Sequence, residues 1–129
     1  MAFALARIGQ IAFGVADVDR AETFYRDVLG LRRLYRFGTL TFFDCSGVRL
    51  MLEQIDTPDA IRRSAPLYFT VADIALAVRE LEARGVTFLD PPHLIARMDD
   101  HDLWMAFFPD PDGNLLALMQ EAPKGYAPR

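Results

Sequence analysis

The chain has 129 residues, of which 52% are hydrophobic and 12% aromatic, and its formal net charge is -4. This length suits one domain, and the apolar content is well above that of disordered chains. The acidic balance and the lack of a Lys/Arg run disfavour nucleic acid or an anionic membrane as a partner. Because Cys45 is the only cysteine, an internal disulfide and a multi-cysteine metal site are excluded.

The first fifteen residues are apolar, but Arg7 and Gln10 interrupt the run and no signal-peptide cleavage pattern follows. They predict a first strand over residues 8–15. No apolar run approaches the ~18 residues that a membrane-spanning helix needs. We therefore expect a soluble, cytoplasmic protein.

An amphipathic helix is predicted after this strand, with Asp17 or Asp19 as its N-cap and Gly30 at its end. Glu22 lies three residues after Asp19, which is the spacing of a capping box. Three strands separated by glycine-containing turns are predicted to follow, at Leu31–Phe37, Leu40–Cys45 and Val48–Glu53.

Residues 55–65 are polar, include Pro58 and predict a linker. The same order of elements then repeats, with a strand at Leu67–Val71 and a helix that Asp73 caps and Gly85 ends. Four strand-like segments follow, at Val86–Leu89, His93–Met98, Leu103–Phe108 and Leu115–Met119.

An internal repeat is visible in the sequence itself. The triplet Val15-Ala16-Asp17 recurs as Val71-Ala72-Asp73, and each copy ends a predicted strand and begins a predicted helix. Each half also closes on a glycine followed by an apolar strand, which begins at Gly47 in the first half and at Gly113 in the second. The repeat indicates two related modules that pair to bury a shared surface.

Three motifs point to one family. The sequence reads QIAFGVAD at Gln10–Asp17, FYRDVLGL at Phe24–Leu31 and DPDGNLL at Asp110–Leu116. These motifs resemble the opening and closing signatures of the vicinal oxygen chelate superfamily, which includes glyoxalases, bleomycin-resistance proteins and dioxygenases. The motifs identify a fold rather than a reaction, because the superfamily hosts several chemistries.

The resemblance covers residues 6–121. It implies an α+β fold in which two βαβββ modules form a curved mixed sheet around a cleft, with the helices on the outer face. It also implies a single domain over 1–129, with module one at about 6–54, a linker at about 55–65 and module two at about 66–121. Relatives of this kind usually form two-fold dimers, so a homodimer is expected.

In that family, His, Gln or Glu side chains at four positions hold a divalent metal, in the first and last strand of each module. Carried over residue by residue, these positions fall on Gln10, Met51, Pro66 and Ala117. Three of them lack the oxygen or nitrogen donor that a hard divalent ion needs, so we expect no metal and no other cofactor. Glu53, two residues past Met51 on the same strand face, reaches the ligand position only if a β-bulge shifts the register.

Strand alternation, combined with the family analogy, predicts which side chains line the cleft. The residues that alternate with the cleft-lining ones are uniformly apolar, which is typical of a face that packs under helices. The cleft-lining residues are a mixture of polar and apolar types. A mixed concave surface favours an amphipathic small molecule as ligand. The predicted ligand-binding residues in these strands are Gln10, Arg49, Met51, Tyr68 and Ala117.

The segment from Pro91 to Met105 holds both histidines, the only tryptophan and an arginine. One interpretation is a solvated hairpin in which Trp104 caps the core. The other is a wall of the cleft, in which Trp104 stacks on the ligand and Arg97 pairs with an anionic group. In that interpretation His93 and His101 are the candidate proton-transferring, catalytic residues, and His93 also binds the ligand.

Alternation in this segment predicts that His93, Ile95 and Arg97 share one face. A hairpin that turns near Asp99-Asp100 would place His93 opposite the region of Phe107, away from His101. The two histidines are therefore not expected to form a metal pair.

Two functions remain open from the sequence. The first is a metal-free protein that binds a small molecule, for sequestration or resistance, and Pro66 and Ala117 favour it. The second is an enzyme, a glyoxalase-family lyase or isomerase or a dioxygenase-like protein, with a displaced metal or His/Arg acid–base chemistry. The residues His93 to Trp104 favour the second. The sequence leaves open whether the protein is an enzyme.

Overall fold

A computed structural model gives the structure of residues 3–56 and 65–128, in two compact units that span 1–62 and 63–129. Each unit is one module, in which a helix lies on one side of a four-stranded mixed sheet. The predicted α+β fold of two βαβββ modules is confirmed. Most of the predicted linker, residues 57–64, lies outside the described residues. No helix in the described ranges is long and apolar enough to cross a membrane.

Module one consists of β1 (Gln10–Val15), α1 (Val18–Thr23), β2 (Arg32–Phe37), β3 (Leu40–Cys45) and β4 (Val48–Gln54). The sheet order is β1-β4-β3-β2, with β1 parallel to β4 and the other pairs antiparallel. Helix α1 continues into a π-helical turn at Phe24–Val28, and Gly30, with a φ of 78°, follows its end. Asp17 is the N-cap, because its Oδ1 accepts hydrogen bonds from the backbone N–H groups of Asp19 and Arg20.

A capping box would require Asp19 as the N-cap, with Glu22 three residues later. Because the N-cap is Asp17, the capping-box role predicted for Glu22 is wrong. Glu22 instead joins a nearly buried ionic cluster, where it accepts a hydrogen bond from Thr41 at 2.8 Å and contacts Arg33 and Arg36 at 3.3 Å each. Burial raises the pKa of Glu22, but these hydrogen bonds and arginine charges more than offset it, so the pKa lies below its ordinary value. The cluster fastens α1 to β2 and β3.

Module two consists of β5 (Leu67–Thr70), α2 (Ile74–Ala83), β6 (His93–Arg97), β7 (Asp102–Pro109) and β8 (Leu115–Ala122). The sheet order is β5-β8-β7-β6, and Asp73 caps α2 as predicted. The strand predicted at Val86–Leu89 is wrong, because this segment is irregular. The segment makes one backbone hydrogen bond to β7, from Leu89 to Phe107 at 2.9 Å, and otherwise packs: Val86 is buried, and the rings of Phe88 and Phe108 lie 5.0 Å apart between centroids.

The internal repeat extends to a contact that fixes each helix to its sheet. In module one the side-chain oxygen of Gln54 accepts a hydrogen bond from the backbone N–H of Val18 at 3.0 Å. In module two Gln120 accepts the equivalent bond from Ile74 at 2.9 Å. In both modules the last strand therefore satisfies an N–H group that the first helical turn leaves without an intrahelical partner.

Each sheet has a buried, apolar side under its helix and a second side, which we call the helix-free face. The helix-facing residues are predicted by alternation and include Phe13, Phe43, Leu50, Leu52, Phe108, Leu116 and Leu118. Two bulges interrupt the alternation, one at Leu34 in β2 and one at Ile95 in β6. They decide which side chains reach the helix-free faces.

Candidate functional site

The helix-free face of module one gathers polar and aromatic side chains from all four of its strands. Register places Gln10 beside Arg49, and Ala12 beside Met51 and Phe42. The bulge at Leu34 turns Tyr35 onto this face, where it pairs with Phe42. The helix-free face therefore carries Gln10, Arg49, Met51, Phe42 and Tyr35, with Phe37 at its end.

Arg49 is held in place at the centre of this group. Its Nε donates to the amide oxygen of Gln10 at 2.8 Å, and its Nη1 donates to the hydroxyl of Tyr35 at 3.1 Å. Its Cζ lies 5.8 Å from the centroid of the Phe42 ring. The amide nitrogen of Gln10 lies 3.8 Å from the sulfur of Met51. The sequence predicted Gln10, Arg49 and Met51 as ligand-binding residues, and the structure brings these three together.

Arg49 has no carboxylate partner, whereas Arg36 and Arg97 each have at least one. Arg36 contacts the carboxylates of Asp19 and Glu22, and Arg97 contacts that of Asp102. Within residues 3–56 and 65–128, no carboxylate lies within salt-bridge distance of Arg49. The module thus presents a positioned cation that is bound only by neutral oxygens.

The sequence leaves open whether Tyr35 lines the cleft or lies in the core, and the structure places it on the helix-free face. Strict alternation from Arg33 places Tyr35 on the helix-facing side, whereas the bulge between them reverses its direction. No residue in β2 signals a bulge, since Leu34 at that position is an ordinary strand residue. Only the pairing of β2 with β3 shows that the side-chain direction of Tyr35 is reversed.

The helix-free face of module two is more apolar. Ala117 is fully buried and lies in register between Tyr68 and Phe107. The ring of Phe107 is 6.0 Å from Tyr68 and 6.1 Å from His93, with the imidazole stacked on it. Three of the predicted ligand-binding residues, Tyr68, His93 and Ala117, therefore lie on one face, and His93 lies near Phe107 as the hairpin geometry predicted.

The prediction that Arg97 shares a face with His93 is wrong. The bulge at Ile95 shifts the register, so that Arg97 pairs with Asp102 while His93 pairs with Met105. Asp102 is buried and accepts a hydrogen bond from the backbone N–H of Gly125 at 3.1 Å. Arg97 lies 3.5 Å from its carboxylate. The hydrogen bond from Gly125 holds the pKa of Asp102 below its ordinary value, although burial raises it.

Trp104 also lies on the helix-facing side. It pairs in register with Gln120, whose side chain reaches the start of α2, and its ring is 6.4 Å from that of Tyr126. The structure separates Trp104 and Arg97 from the face that carries Tyr68 and Ala117. Their predicted contact with ligand stays a prediction.

His101, the second candidate catalytic residue, lies at the turn of the hairpin. Its Nδ1 is 2.8 Å from a carboxylate oxygen of Asp100, which is exposed. The hydrogen bond from His101 lowers the pKa of Asp100. The hairpin separates His101 from His93 along β6, as predicted.

Residues 7–118 match the family described as the Glyoxalase/Bleomycin resistance protein/Dioxygenase superfamily. The chain belongs to this superfamily. The match covers both modules and includes all the predicted site residues in them.

Several solved structures have a similar fold over nearly the whole chain. Lactoylglutathione lyase from Agrobacterium tumefaciens is 25% identical, with a TM-score of 0.72 over 95% of this chain and 98% of its own. A glyoxalase/bleomycin resistance protein/dioxygenase from Nocardioides is 21% identical, with a TM-score of 0.72 over 99% of this chain and 91% of its own. An integron cassette protein from V. cholerae is 20% identical, with a TM-score of 0.75 over 95% of this chain and 100% of its own.

The residues at the superfamily's metal positions do not fit a divalent ion. Of Gln10, Met51, Pro66 and Ala117, only Gln10 carries an oxygen donor, and that oxygen already accepts a hydrogen bond from the Arg49 guanidinium. A cation at hydrogen-bond distance repels a second cation on the same oxygen. In the described part of the chain, no three His, Cys, Asp or Glu side chains form a group able to hold a metal.

Glu53 does not take the place of Met51. Strand β4 pairs in continuous register with both β1 and β3, so Met51 stays opposite Ala12 and Glu53 stays opposite Gly14. The bulge that would move Glu53 into the ligand position is absent from β4, which the structure describes throughout.

Proposed function

We propose that this member of the glyoxalase superfamily binds a small organic molecule without a metal ion, as a sequestration or resistance protein does. The observation that carries the proposal is the Gln10–Arg49–Tyr35 arrangement. The Gln10 oxygen, at a position where the superfamily holds its metal, accepts a hydrogen bond from the Arg49 guanidinium, and the aromatic residues Tyr35 and Phe42 lie beside that guanidinium. Such a mixture of a few positioned polar groups with aromatic side chains is typical of small-molecule sites.

The alternative, an enzyme, has less support. A displaced metal needs Glu53 in the position of Met51, and the continuous register of β4 does not provide that. Acid–base chemistry by a His/Arg wall needs His93 and Arg97 on one face, and the bulge at Ile95 places them on opposite faces.

The test uses untagged, purified protein. Metal content by mass spectrometry should be well below one equivalent of Zn, Ni, Mn, Fe or Co, and EDTA should leave the melting temperature unchanged. NMR titration with 2-naphthamide, a neutral aromatic probe, should shift amide signals in β2, β3 and β4. Stoichiometric metal that is lost in Gln10→Ala or Glu53→Gln would overturn the metal-free assignment, and the absence of any shift with the probe would overturn the binding function.

A further inference from the structure

We propose that Arg49 binds the carboxylate of an aromatic carboxylic acid on the helix-free face of module one. This ligand class rests on the small-molecule binding proposed above.

The guanidinium is positioned before any ligand arrives. Two neutral acceptors, the Gln10 amide oxygen at 2.8 Å and the Tyr35 hydroxyl at 3.1 Å, hold Nε and Nη1. Part of the side-chain entropy that an arginine loses on binding is therefore already lost in the folded protein. Nη2 has no acceptor in residues 3–56 or 65–128, so its two N–H groups are available to an anion.

The positive charge has no counter-ion in the described structure. Arg36 and Arg97, by contrast, lie within 2.8 to 3.5 Å of carboxylates. A charge-assisted hydrogen bond from a guanidinium to a carboxylate is roughly twice as strong as one between neutral groups. An anionic ligand would supply the partner that the protein itself does not give Arg49.

Aromatic rings adjoin this cation on one side. Tyr35 packs on Phe42 at 4.6 Å and on Phe37 at 5.4 Å between ring centroids, and Phe37 is 67% exposed. An exposed aromatic surface next to a positioned cation matches a ligand with an apolar ring and an acidic group.

The other charges on this face favour a single negative charge. Asp44 is in register with both Arg49 and Arg32, and Glu53 lies four residues beyond Arg49 on the same face of β4. These carboxylates would repel a phosphate dianion more strongly than a carboxylate monoanion. The favoured ligand is therefore an aromatic carboxylate rather than a phosphate ester.

The experiment compares 2-naphthoate with 2-naphthamide, which has the same ring system and no charge. NMR titrations of the full chain give the dissociation constant of each probe and the amide signals that it shifts. Wild-type protein should bind the naphthoate about tenfold more tightly, which is the lower end expected for a hydrogen bond to a charged group. In Arg49→Met, which keeps the length and apolar volume of the side chain, this preference should disappear, because the naphthoate affinity should fall about tenfold more than the naphthamide affinity.

Arg20→Met is the matched control, since Arg20 is an exposed arginine on α1, away from the helix-free face, and should leave the preference intact. Equal affinity of the wild type for both probes, or a preference that survives in Arg49→Met, overturns the inference while leaving the proposed function in place. If neither probe binds, both fail. Far-ultraviolet circular dichroism and melting of Arg49→Met verify that the variant folds, and if it does not, Arg49→Lys, which keeps the charge but loses the two-sided hydrogen bonding, should weaken the preference instead.

Discussion

Thr41 donates its hydroxyl hydrogen bond to Glu22 at 2.8 Å, and this nearly buried pair joins α1 to the middle of the module-one sheet. Arg33 and Arg36 approach the same carboxylate, so the cluster depends on Glu22 being ionised. The stabilisation that this cluster provides should therefore depend on pH.

Because the folded pKa of Glu22 lies below its ordinary value of 4.5, its stabilisation is fully present above that value and lost as pH falls through the folded pKa. Glu22→Gln should lower the free energy of unfolding by about 1.5–3 kcal/mol at pH 7, since it removes hydrogen bonds to a charged group. Urea unfolding should show this difference shrinking as the pH falls below 4.5 and through the folded pKa. The control is Asp27→Asn, which removes an exposed ion pair and should have a smaller effect. A loss for Glu22→Gln that is the same at pH 7 and in acid would contradict the assignment.

Gln120 should stabilise module two through its bond to the Ile74 N–H. Gln120→Leu keeps the volume but removes the acceptor from a buried site, and should cost about 1–3 kcal/mol in urea unfolding. Gln120→Glu retains an acceptor oxygen and should cost less. Gln54, its counterpart in module one, is exposed, so Gln54→Leu should have the smaller effect of the two leucine variants. Equal losses for Gln120→Leu and Gln120→Glu would show that the hydrogen bond is unimportant.

Ser46 adopts a φ of 52° in the turn between β3 and β4, a backbone region that asparagine and glycine tolerate better than serine. Ser46→Asn creates an Asn-Gly turn with Gly47 and should stabilise the protein by about 0.5–1 kcal/mol. Ser46→Val, with a β-branched side chain, should destabilise it. A melting temperature of the valine variant equal to or above that of the asparagine variant would show that the backbone at Ser46 is not strained.

Trp104 should contribute to folding rather than to ligand affinity. Its ring lies on the helix-facing side against Tyr126, in the segment that Gly125 anchors to Asp102. Trp104→Phe should lower the melting temperature and leave the affinity for 2-naphthoate within twofold. An unchanged melting temperature with lost binding would instead favour the ligand-stacking role that the sequence suggested.

The expected homodimer follows from the sheet edges. In the described strands, β2 pairs only with β3 and β6 only with β7, and such edges are commonly buried by assembly. Light scattering at micromolar concentration should give twice the mass of the 129-residue chain. A concentration-independent monomer mass is the contrary result.

The sequence predicted most of the fold because its signals are local and repeated. The two Val-Ala-Asp triplets located both helix starts, and Gly30 and Gly47 marked real turns. The error at Val86–Leu89 has a simple cause. A short apolar run has the composition of a strand whether it pairs with a neighbour or only packs against one.

The candidate site was predicted in part. Gln10, Arg49 and Met51 share a face because no bulge interrupts β1 or β4, so alternation alone places them together. Tyr35 and Arg97 lie beyond bulges, at Leu34 and Ile95. The sequence left the side of Tyr35 open, and alternation assigned Arg97 to the wrong side.

The sequence by itself determined the superfamily, the two modules, the helix caps and the loss of oxygen donors at Met51, Pro66 and Ala117, because each depends on residue type at a fixed spacing. Only the tertiary structure decided that Arg49 donates hydrogen bonds to both Gln10 and Tyr35. It also decided that Trp104 lies on the helix-facing side of its sheet. Those facts depend on strand register, and a one-residue bulge reverses the direction of the side chains that follow it without leaving a mark in composition.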